Sequence, residues 1–338
     1  ICLSLKLRIG MDKKQTISIT GGTGHLGHCL LVKLLEQGHH IKALYNRQLP
    51  FLKHSNLTWI KGNITQGHSF NEFLKGSDTL IHSAGLISIG DQNSKLVFQV
   101  NVVGTENLIK TCISYQVKMV YVSSCTAVQE TLKNELFKED RPYKTKNDFT
   151  YCYTKALAEQ KVLAAVKDGK LAACIVRPSS IIGPPDYRPS PFGKTILDYA
   201  DNKIPIITNG GYNLVDVRDV SQTIINSLQK KLTGEIYLLS GTYLTIKEIA
   251  KIANPTKFFF KISIDLLLVL LPIIKLYDYL VGIPWPLTKE SLITLKLAPL
   301  HMDHAKATRE LNHQSRPPSE SILDLLSWYK ILKIKLRG

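Results

Sequence analysis

Two groups of residues have the types and spacing required for acid–base catalysis or for binding a phosphate group. The first is Tyr151 and Lys155, whose spacing places both side chains on one face of a helix. A tyrosine, with an ordinary pKa of about 10, needs that pKa lowered to work near neutrality, and an adjacent ammonium does this by favouring the phenolate. Three other tyrosine–lysine pairs share the spacing. The strand before Tyr151 selects this pair, because it ends in Ser123 and Ser124, whose hydroxyls can hold a substrate oxygen. In the alternative, non-catalytic interpretation, Tyr151 is a half-buried aromatic residue and Lys155 is a surface lysine.

The second group is a run of glycines, TGGTGHLG at 20–27, between a predicted strand and a predicted helix. Gly21 permits a tight turn, Gly24 lets the backbone approach a pyrophosphate, and Gly27 lets the helix pack closely on the strand. Free N–H groups at the helix N-terminus then favour phosphates. An ordinary glycine turn is the alternative, but the strand–turn–helix context favours a dinucleotide site. The other predicted cofactor contacts in this run are Thr23, His25 and Leu26.

The end of the second strand indicates which dinucleotide binds. An acid about 20 residues after the glycines would accept from the ribose 2′-OH of NAD. The chain has Tyr45-Asn46-Arg47 there. Arg47 could pair with a 2′-phosphate, so NADP is predicted, with NAD as the alternative. A solvated loop arginine is the other interpretation of Arg47.

Alternating strands and helices must position these residues. The predicted strands lie at 16–20, 41–45, 57–60, 79–82, 118–123 and 172–176, and the predicted helices at 25–37, 94–114 and 151–166. This alternation with short connections predicts an α/β fold with a parallel, doubly wound sheet. After Arg177 the pattern becomes irregular and proline-rich, which indicates loops and helices added at one end of the sheet.

The composition is that of a globular protein, with 44% apolar and 21% charged residues among 338. It excludes a collagen-like chain, a disulfide miniprotein and a wholly disordered chain. The net charge of +16 raises the question of a nucleic-acid or acidic-membrane partner. The basic residues are spread along the chain, and no arginine–aromatic nucleic-acid motif is visible, so no nucleic-acid partner is expected. The densest basic cluster is Lys330, Lys333, Lys335 and Arg337.

The cysteines and the start of the chain support a reduced, cytoplasmic protein. The six cysteines include no Cys-x-x-Cys pair and lie mostly in apolar segments, as core thiols do. Without ligand spacing, no metal site is predicted. Met11 is the first methionine, and the regular pattern begins just after it. We therefore expect residues 1–13 to be a disordered or non-native extension.

The apolar segment 258–283 has two interpretations. Pro272 and several charged residues interrupt it, so it predicts an amphipathic helical region and not a membrane span. Apolar residues at helical spacing are most often core. Alternatively, the segment covers an apolar substrate or rests on a membrane. Together with the basic cluster near Arg337, this second interpretation is compatible with peripheral contact with an anionic membrane and with a membrane-associated location.

The ordered motifs together resemble the extended short-chain dehydrogenase/reductase family, over essentially residues 14–329. Besides the glycine run and the pair Tyr151 with Lys155, the matching pieces are GNI at 62–64, HSAG at 82–85, NVVGTEN at 101–107, YVSS at 121–124, RPSSIIGP at 177–184 and VDVRDV at 215–220. The resemblance implies a Rossmann-type sheet with a smaller, mostly helical C-terminal substrate lobe. The expected division is an NAD(P)-binding Rossmann domain at 14–180 and a substrate-binding lobe at 181–338, with Rossmann elements returning at about 205–240.

The resemblance also implies a catalytic set of Ser124, Tyr151 and Lys155. Tyr151 is then the acid/base, Lys155 lowers its pKa and binds the nicotinamide ribose, and Ser124 polarises the reacting oxygen, with Ser123 as the fallback. Further implied cofactor contacts are Asn63, Ile64, Ser83, Ala84, Gly85, Asn101, Pro178 and Ser180. Asn63 departs from the family, which usually has an aspartate there to accept from the adenine amino group. The amide oxygen of Asn63 can still accept, so adenine binding should survive.

Within the family, the Arg177-to-Pro184 stretch and the C-terminal lobe are more like the dihydroflavonol reductase and 3β-hydroxysteroid dehydrogenase branch. Sugar-nucleotide enzymes usually have Tyr and Asn where Pro178 and Ser180 stand. The predicted function is therefore NADP(H)-dependent interconversion of a hydroxyl and a carbonyl on a hydrophobic, steroid-, flavonoid- or isoprenoid-like molecule. A nucleotide-sugar epimerase or dehydratase with tightly bound NAD, and a non-catalytic dinucleotide-binding sensor, are the alternatives. Similar proteins often form homodimers through the Tyr-bearing helix, so a homodimer is also open.

Overall fold

The computed structural model describes residues 14–47, 50, 52–66, 70–87, 93–131, 135–281 and 287–335. The predicted extension 1–13 lies outside the described residues, and so do Arg337 and the side chains of Lys333 and Lys335. Within the described ranges the chain alternates strands and helices as the sequence predicts.

The strands are β1 (Thr16–Thr20), β2 (His40–Tyr45), β3 (Leu57–Lys61), β4 (Thr79–His82), β5 (Lys118–Val122), β6 (Leu136–Phe137), β7 (Ala173–Pro178), β8 (Ser180–Ile182), β9 (Ile206–Thr208), β10 (Gly211–Asp216), β11 (Ile236–Leu239), β12 (Thr242–Thr245), β13 (Phe260–Ile262) and β14 (His301–Met302). The helices are α1 (His25–Glu36), α2 (Asn71–Leu74), α3 (Ser94–Phe98), α4 (Gly104–Tyr115), α5 (Thr150–Lys167), α6 (Pro191–Ala200), α7 (Val217–Ser227), α8 (Ile246–Ala253), α9 (Ile264–Val281), α10 (Lys289–Leu297), α11 (Ala305–Leu311) and α12 (Pro318–Lys335). A wider, π-helical turn at Gln99–Val103 joins α3 to α4.

Seven strands form one parallel sheet in the order β11–β7–β5–β4–β1–β2–β3. This arrangement confirms the predicted α/β, Rossmann-type, doubly wound fold. The strand order reverses between β1 and β4, because the chain builds β2 and β3 on one side of β1 and the later strands on the other. Ligands of such sheets bind outside the carboxyl ends of the strands at this reversal. The turns after β1 and β4 meet there, since Ser83 Oγ donates to the carbonyl of Thr20 at 2.7 Å.

Apolar layers cover both faces of the sheet, as a parallel sheet requires. On one face α1 and α7 pack against the strands, and Leu30 and Ile224 are completely buried there. On the other face α2, α4 and α5 do the same, with Phe73, Leu108 and Val162 completely buried. The two layers hold the carboxyl ends of the strands, and the turns that follow them, in fixed positions.

A third apolar cluster forms the mostly helical lobe predicted for the second half of the chain. Its buried members come from α6, α8, α9, α10 and α12, among them Ile196, Ile249, Leu267, Leu292 and Leu325. A three-stranded sheet, β12–β10–β8, lies alongside it. Among the helices in the described ranges, none combines the length and apolar character needed to cross a bilayer.

The predicted amphipathic segment 258–283 begins as strand β13 and continues as helix α9, with Pro272 inside the helix. Its inner side is core, where Ile264 is 0% and Leu267 2% exposed. Its outer side is open, since Val269 is 73% and Ile273 65% exposed. The core interpretation therefore holds for one face of the helix only.

Candidate active site

The glycine run forms a tight turn that leads directly from β1 into α1. Gly21 has a φ of +75°, and a Cβ added there would lie 2.7 Å from the backbone nitrogen of Ala84. A Cβ on Gly27 would lie 2.0 Å from the carbonyl oxygen of Gly21, so only glycine lets the helix approach the turn. Gly24 is the N-cap of α1 and gives no side-chain cap. The first N–H groups of α1 thus have no intrahelical acceptor and are free for an anion.

A cleft with a volume of about 1420 Å³ opens in front of this helix N-terminus. Its walls include Thr23, Gly24 and His25 of the glycine run and Arg47 from the end of β2. The residues Asp186, Tyr187 and Arg188, which follow β8, line the same cleft. The structure therefore brings Arg47 to the predicted phosphate loop. The side chain of Leu26 is buried beneath the turn.

Asn63 and Ile64 follow β3 but use their side chains within the protein. Asn63 Oδ1 accepts hydrogen bonds from Thr65 N at 3.1 Å and from Thr65 Oγ1 at 3.0 Å. An amide oxygen has two lone pairs, so an adenine amino group would compete with Thr65 for it. Ile64 is buried against Gly104, where a Cβ would meet it at 2.8 Å.

A buried polar chain joins β1, β4 and α4 beneath the site. Thr105 Oγ1 donates its one proton to the carbonyl of Asn101 at 2.7 Å, so His82 Nε2, 3.0 Å away, must be the donor to Thr105. His82 Nδ1 then accepts from Thr20 Oγ1 at 2.7 Å. Burial, with the charge of Lys155, lowers the pKa of His82 to about 3, which keeps the imidazole neutral. His82 is therefore a structural residue that sets the turn after β4.

Asn101 holds the next part of that turn from the π-helical element. Its Oδ1 accepts from Leu86 N at 2.8 Å, and its Nδ2 donates to Leu86 O and to Thr154 Oγ1, each at 3.1 Å. Ala84 N donates to Thr20 Oγ1 at 3.2 Å. Gly85 lies in this turn, where a Cβ would come within 3.3 Å of Lys155 Nζ. The missing side chain lets the backbone of this turn lie close to Lys155 and Asn101.

The structure brings Ser124, Tyr151 and Lys155 together at the carboxyl edge of the sheet. Ser124 caps the short turn after β5, where its Oγ lies 2.9 Å from Thr126 Oγ1. Tyr151 begins α5, and Lys155 is one turn further along the same face. Ser124 is close enough to Tyr151 to act on the ionisation of its phenol.

The ionisation of Tyr151 differs from the sequence-based expectation. Burial raises the pKa of Tyr151, and the hydroxyl of Ser124 acts in the opposite direction. The ammonium of Lys155 donates instead to the carbonyl of Val122 at 2.8 Å and to the hydroxyl of Tyr121 at 3.5 Å. Tyr121 was not expected from the sequence, where it reads only as a strand residue. In this state of the protein, Tyr151 is therefore a neutral phenol.

Lys155 makes the stability of the protein depend on pH. Burial lowers the pKa of Lys155 from 10.5 to about 8, so between these values the unfolded chain binds more protons than the folded one. Folding is therefore penalised below this window and gains stability as the pH rises through it. We expect the unfolding free energy of the wild type, relative to Lys155→Met, to increase by about 3 kcal/mol across the window. Urea denaturation at both ends measures it, and a constant difference would contradict the buried ammonium.

A buried ion pair that the sequence analysis missed lies behind Lys155. Glu159 is one turn beyond Lys155 on α5 and is 0% exposed, and Arg177 at the end of β7 is 1% exposed. The guanidinium donates to the carboxylate through Nε at 3.0 Å and through Nη2 at 2.7 Å. The four-residue steps from Tyr151 to Lys155 and Glu159 were the available signal, since they place all three on one helix face.

Pro178 and Ser180 lie at the junction between the two halves of the structure. Pro178 is the buried last residue of β7, and Ser180 is the partly exposed first residue of β8. The hydroxyl of Ser179, which lies between these two residues, and that of Ser123, whose N–H donates to the carbonyl of Val176 at 2.8 Å, are buried without a hydrogen-bond partner among the described residues. The fallback residue Ser123 therefore has a hydroxyl that no described side chain uses.

Comparison with known proteins gives a family and a fold. The NAD dependent epimerase/dehydratase family model matches residues 17–240. Sterol demethylase protein B of Methylococcus capsulatus is 34% identical over 241 residues, covering 70% of this chain and 72% of that protein. The 3 beta-hydroxysteroid dehydrogenase type 7 of Mus musculus is 36% identical over 183 residues, covering 49% of this chain and 50% of that protein.

Solved structures agree on the architecture. The crystal structure of gox2253 has a TM-score of 0.78 at 26% identity and covers 94% of this chain and 98% of its own. MoeE5, solved with UDP-glucuronic acid and NAD, has a TM-score of 0.75 at 18% identity, which shows the fold alone, and covers 93% of this chain and 99% of its own. The chain therefore belongs to the NAD-dependent epimerase/dehydratase family, among the extended short-chain dehydrogenases/reductases, and is an NAD(P)-dependent oxidoreductase.

Proposed function

We propose that the protein interconverts a hydroxyl and a carbonyl group on a hydrophobic small molecule, with NADP(H) as its cofactor. The observation that carries the proposal is the grouping of Ser124, Tyr151 and Lys155 at the carboxyl edge of the sheet, where the turn that contains Gly85 lies between Lys155 and the glycine run. A bound nicotinamide dinucleotide supplies the hydride transfer. The glycine turn and the free N–H groups of α1 fit such a group.

The protein's own residues handle the proton. In the direction of reduction, Tyr151 gives its proton to the carbonyl oxygen, and in oxidation it takes the proton of the hydroxyl. Ser124 donates a hydrogen bond to the same substrate oxygen. Lys155 holds a ribose hydroxyl and offsets negative charge that develops on the phenol oxygen. Because burial raises the pKa of Tyr151, the resting phenol is in the form that serves as the acid in reduction.

The substrate class is supported by relatives and by two residues. The curated relatives include a sterol demethylase protein, a putative dihydroflavonol 4-reductase and 3β-hydroxysteroid dehydrogenases. Pro178 and Ser180 replace the Tyr and Asn of sugar-nucleotide enzymes. The rival function, a nucleotide-sugar epimerase or dehydratase, predicts NAD that co-purifies and activity only with nucleotide sugars. A screen of steroid, flavonoid-like and isoprenoid ketones with NADPH, run beside UDP-sugars, separates the two.

Cofactor choice tests the role of Arg47. We expect NADPH to bind more tightly than NADH, and Arg47→Ala to weaken NADPH binding by about tenfold while changing NADH binding little, because a charge-assisted hydrogen bond to the 2′-phosphate is lost. Fluorescence titration measures both affinities. Arg309→Ala, at an exposed arginine on α11, is the matched control. A wild-type preference for NADH would contradict the NADP assignment.

We further propose that the protein is cytoplasmic and touches an anionic membrane through α9. The five cysteines within the described residues are all free thiols, as expected in a reducing compartment. The outer face of α9 is apolar along its length, with exposed side chains at Leu266, Val269, Ile273, Leu276, Tyr277 and Leu280. Three lysines lie at its edges: Lys261 on β13 is exposed, whereas Lys275 on α9 and Lys296 on α10 pair with Asp278 and Asp265. An exposed apolar helix face fits the interface of a bilayer, and the exposed Lys261 beside it favours anionic headgroups.

Vesicle binding tests this contact. We expect the full chain to sediment with phosphatidylserine-containing vesicles, and more weakly with phosphatidylcholine alone. Ile273→Asp should abolish sedimentation, while Leu323→Asp, at a 52% exposed leucine on α12, should not. Self-association that Ile273→Asp removes, without vesicle binding, would instead assign this face to a second copy. The homodimer suggested for the Tyr-bearing helix α5 is a separate interface, which Ile273→Asp leaves intact.

A further inference from the structure

The connection between β8 and α6 carries an arginine to the dinucleotide cleft from the other half of the chain. His25 Nε2 lies 2.7 Å from the carbonyl oxygen of Gly183, which joins this connection to the glycine run. The ring of Tyr187 packs edge-on against His28 of α1, with 4.7 Å between centroids. Arg188 follows immediately and lines the cleft.

Helix α12 fixes this connection from behind. Trp328 packs edge-on against Tyr187, with 5.0 Å between ring centroids. The hydroxyl of Tyr329 donates to Asp186 Oδ2 at 3.0 Å, and the same oxygen accepts from Ser190 N at 2.8 Å and Ser190 Oγ at 2.9 Å. Tyr187 and the carboxylate of Asp186, which precede Arg188, are therefore held in fixed positions between α1 and α12.

The charges in the cleft are not balanced. Of the seven arginines within the described residues, five make ion pairs with acids, namely Arg141, Arg177, Arg218, Arg309 and Arg316. The two without an ion pair among the described residues are Arg47 and Arg188, and both line this cleft. Among the described residues that line the cleft, Asp186 is the one acid. Its Oδ2 accepts hydrogen bonds from three donors, and its Oδ1 is buried. Both arginines are exposed in the same cleft, so each guanidinium can bind an anion that enters it.

We propose that Arg188 is a phosphate ligand of the bound dinucleotide, supplied by the C-terminal half of the chain. The proposal rests on the proposed dinucleotide site and adds a second cation to Arg47. The phosphate is either the 2′-phosphate of NADPH or the pyrophosphate that both cofactors share, and guanidinium recognises either with paired hydrogen bonds.

Binding titrations of the full chain test this without using turnover. Arg188→Ala should weaken NADPH binding by about tenfold, and Arg188→Lys, which keeps the charge without the paired geometry, should recover part of the loss. A loss confined to NADPH assigns the 2′-phosphate, and an equal loss with NADH assigns the pyrophosphate. Arg309→Ala and an unchanged melting temperature control for surface charge and for folding.

The proposal is overturned if Arg188→Ala binds both cofactors as Arg309→Ala does. The proposal for Arg188 can fail without the proposed function failing, because Arg47→Ala can still show a selective loss of NADPH affinity in that case. If the wild type prefers NADH, the role of Arg47 fails, while an equal loss of both cofactors in Arg188→Ala still supports the phosphate contact.

Discussion

Tyr151→Phe is expected to lose at least about 100-fold in turnover while binding the cofactor nearly as the wild type does. The substitution removes one oxygen, the atom that we propose moves the proton, and proton transfer by a positioned side chain contributes about 10²–10⁴-fold to rate. The ring is retained, so its packing beside Ser124 is kept. Steady-state turnover with an identified ketone, together with NADPH titration, measures the two effects separately.

Tyr153→Phe is the matched control, because Tyr153 lies on the same helix two residues away and off the face that carries Lys155 and Glu159. It should retain turnover. Full activity of Tyr151→Phe on an identified substrate would rule out the proposed proton transfer, and equal losses in both variants would indicate a defect in the helix. The turnover of Ser124→Ala should lie between those of the two tyrosine variants, since this change removes the proposed hydrogen bond to the reacting oxygen and leaves the proposed proton donor.

Arg177→Leu is expected to lower the unfolding free energy by about 3–5 kcal/mol, since it leaves Glu159 charged and without its partner at 0% exposure. Arg177 also donates to the carbonyl of Glu139 at 2.8 Å, and this acceptor would lose its donor. The change acts on β7 and α5 together, because the pair joins the end of the strand to the middle of the helix. Urea denaturation of the full chain at neutral pH measures it.

Two further variants make this result specific. Lys170→Met breaks the exposed pair with Asp168, whose side chains are 61% and 56% exposed, and should cost no more than about 1 kcal/mol. The double variant Arg177→Leu/Glu159→Leu replaces both charges by apolar groups and should recover most of the stability that Arg177→Leu loses. A loss under about 1 kcal/mol in Arg177→Leu would show that the buried pair has little net importance for folding.

The sheet was predictable because its strands are short apolar runs separated by clear turn residues. Strands β1 and β4 begin and end at the predicted residues, and α1 differs from its predicted end by a single residue. The π-helical turn at Gln99–Val103 could not be read from the sequence, since the five residues of α3 before it are too few to reveal the one-residue shift that it puts into the apolar pattern. What fixes the turn is Asn101, whose amide reaches Leu86 in another part of the chain.

The candidate site was only partly predictable, because some of its contacts join residues that are far apart in the sequence. The glycine run and the Tyr151–Lys155 spacing are local patterns, and each can be read within a few residues. The partner of Glu159 is 18 residues away along the chain, and Arg188 is more than 100 residues from the glycine run whose cleft it lines. Such contacts depend on the order of the strands and on the packing of the helical lobe, and the local pattern of apolar residues predicts neither. The actual partner of Lys155, the carbonyl of Val122, carries no side-chain signal at all.

The contact of α12 with two residues that line the cleft has a consequence for synthesis. Every residue of the proposed catalytic set is translated within the first half of the chain, since Lys155 is the last of them. The connection that lines the cleft is supported by Trp328 and Tyr329, which the ribosome adds far later. A growing chain therefore carries the reactive groups long before its dinucleotide cleft has all of its support.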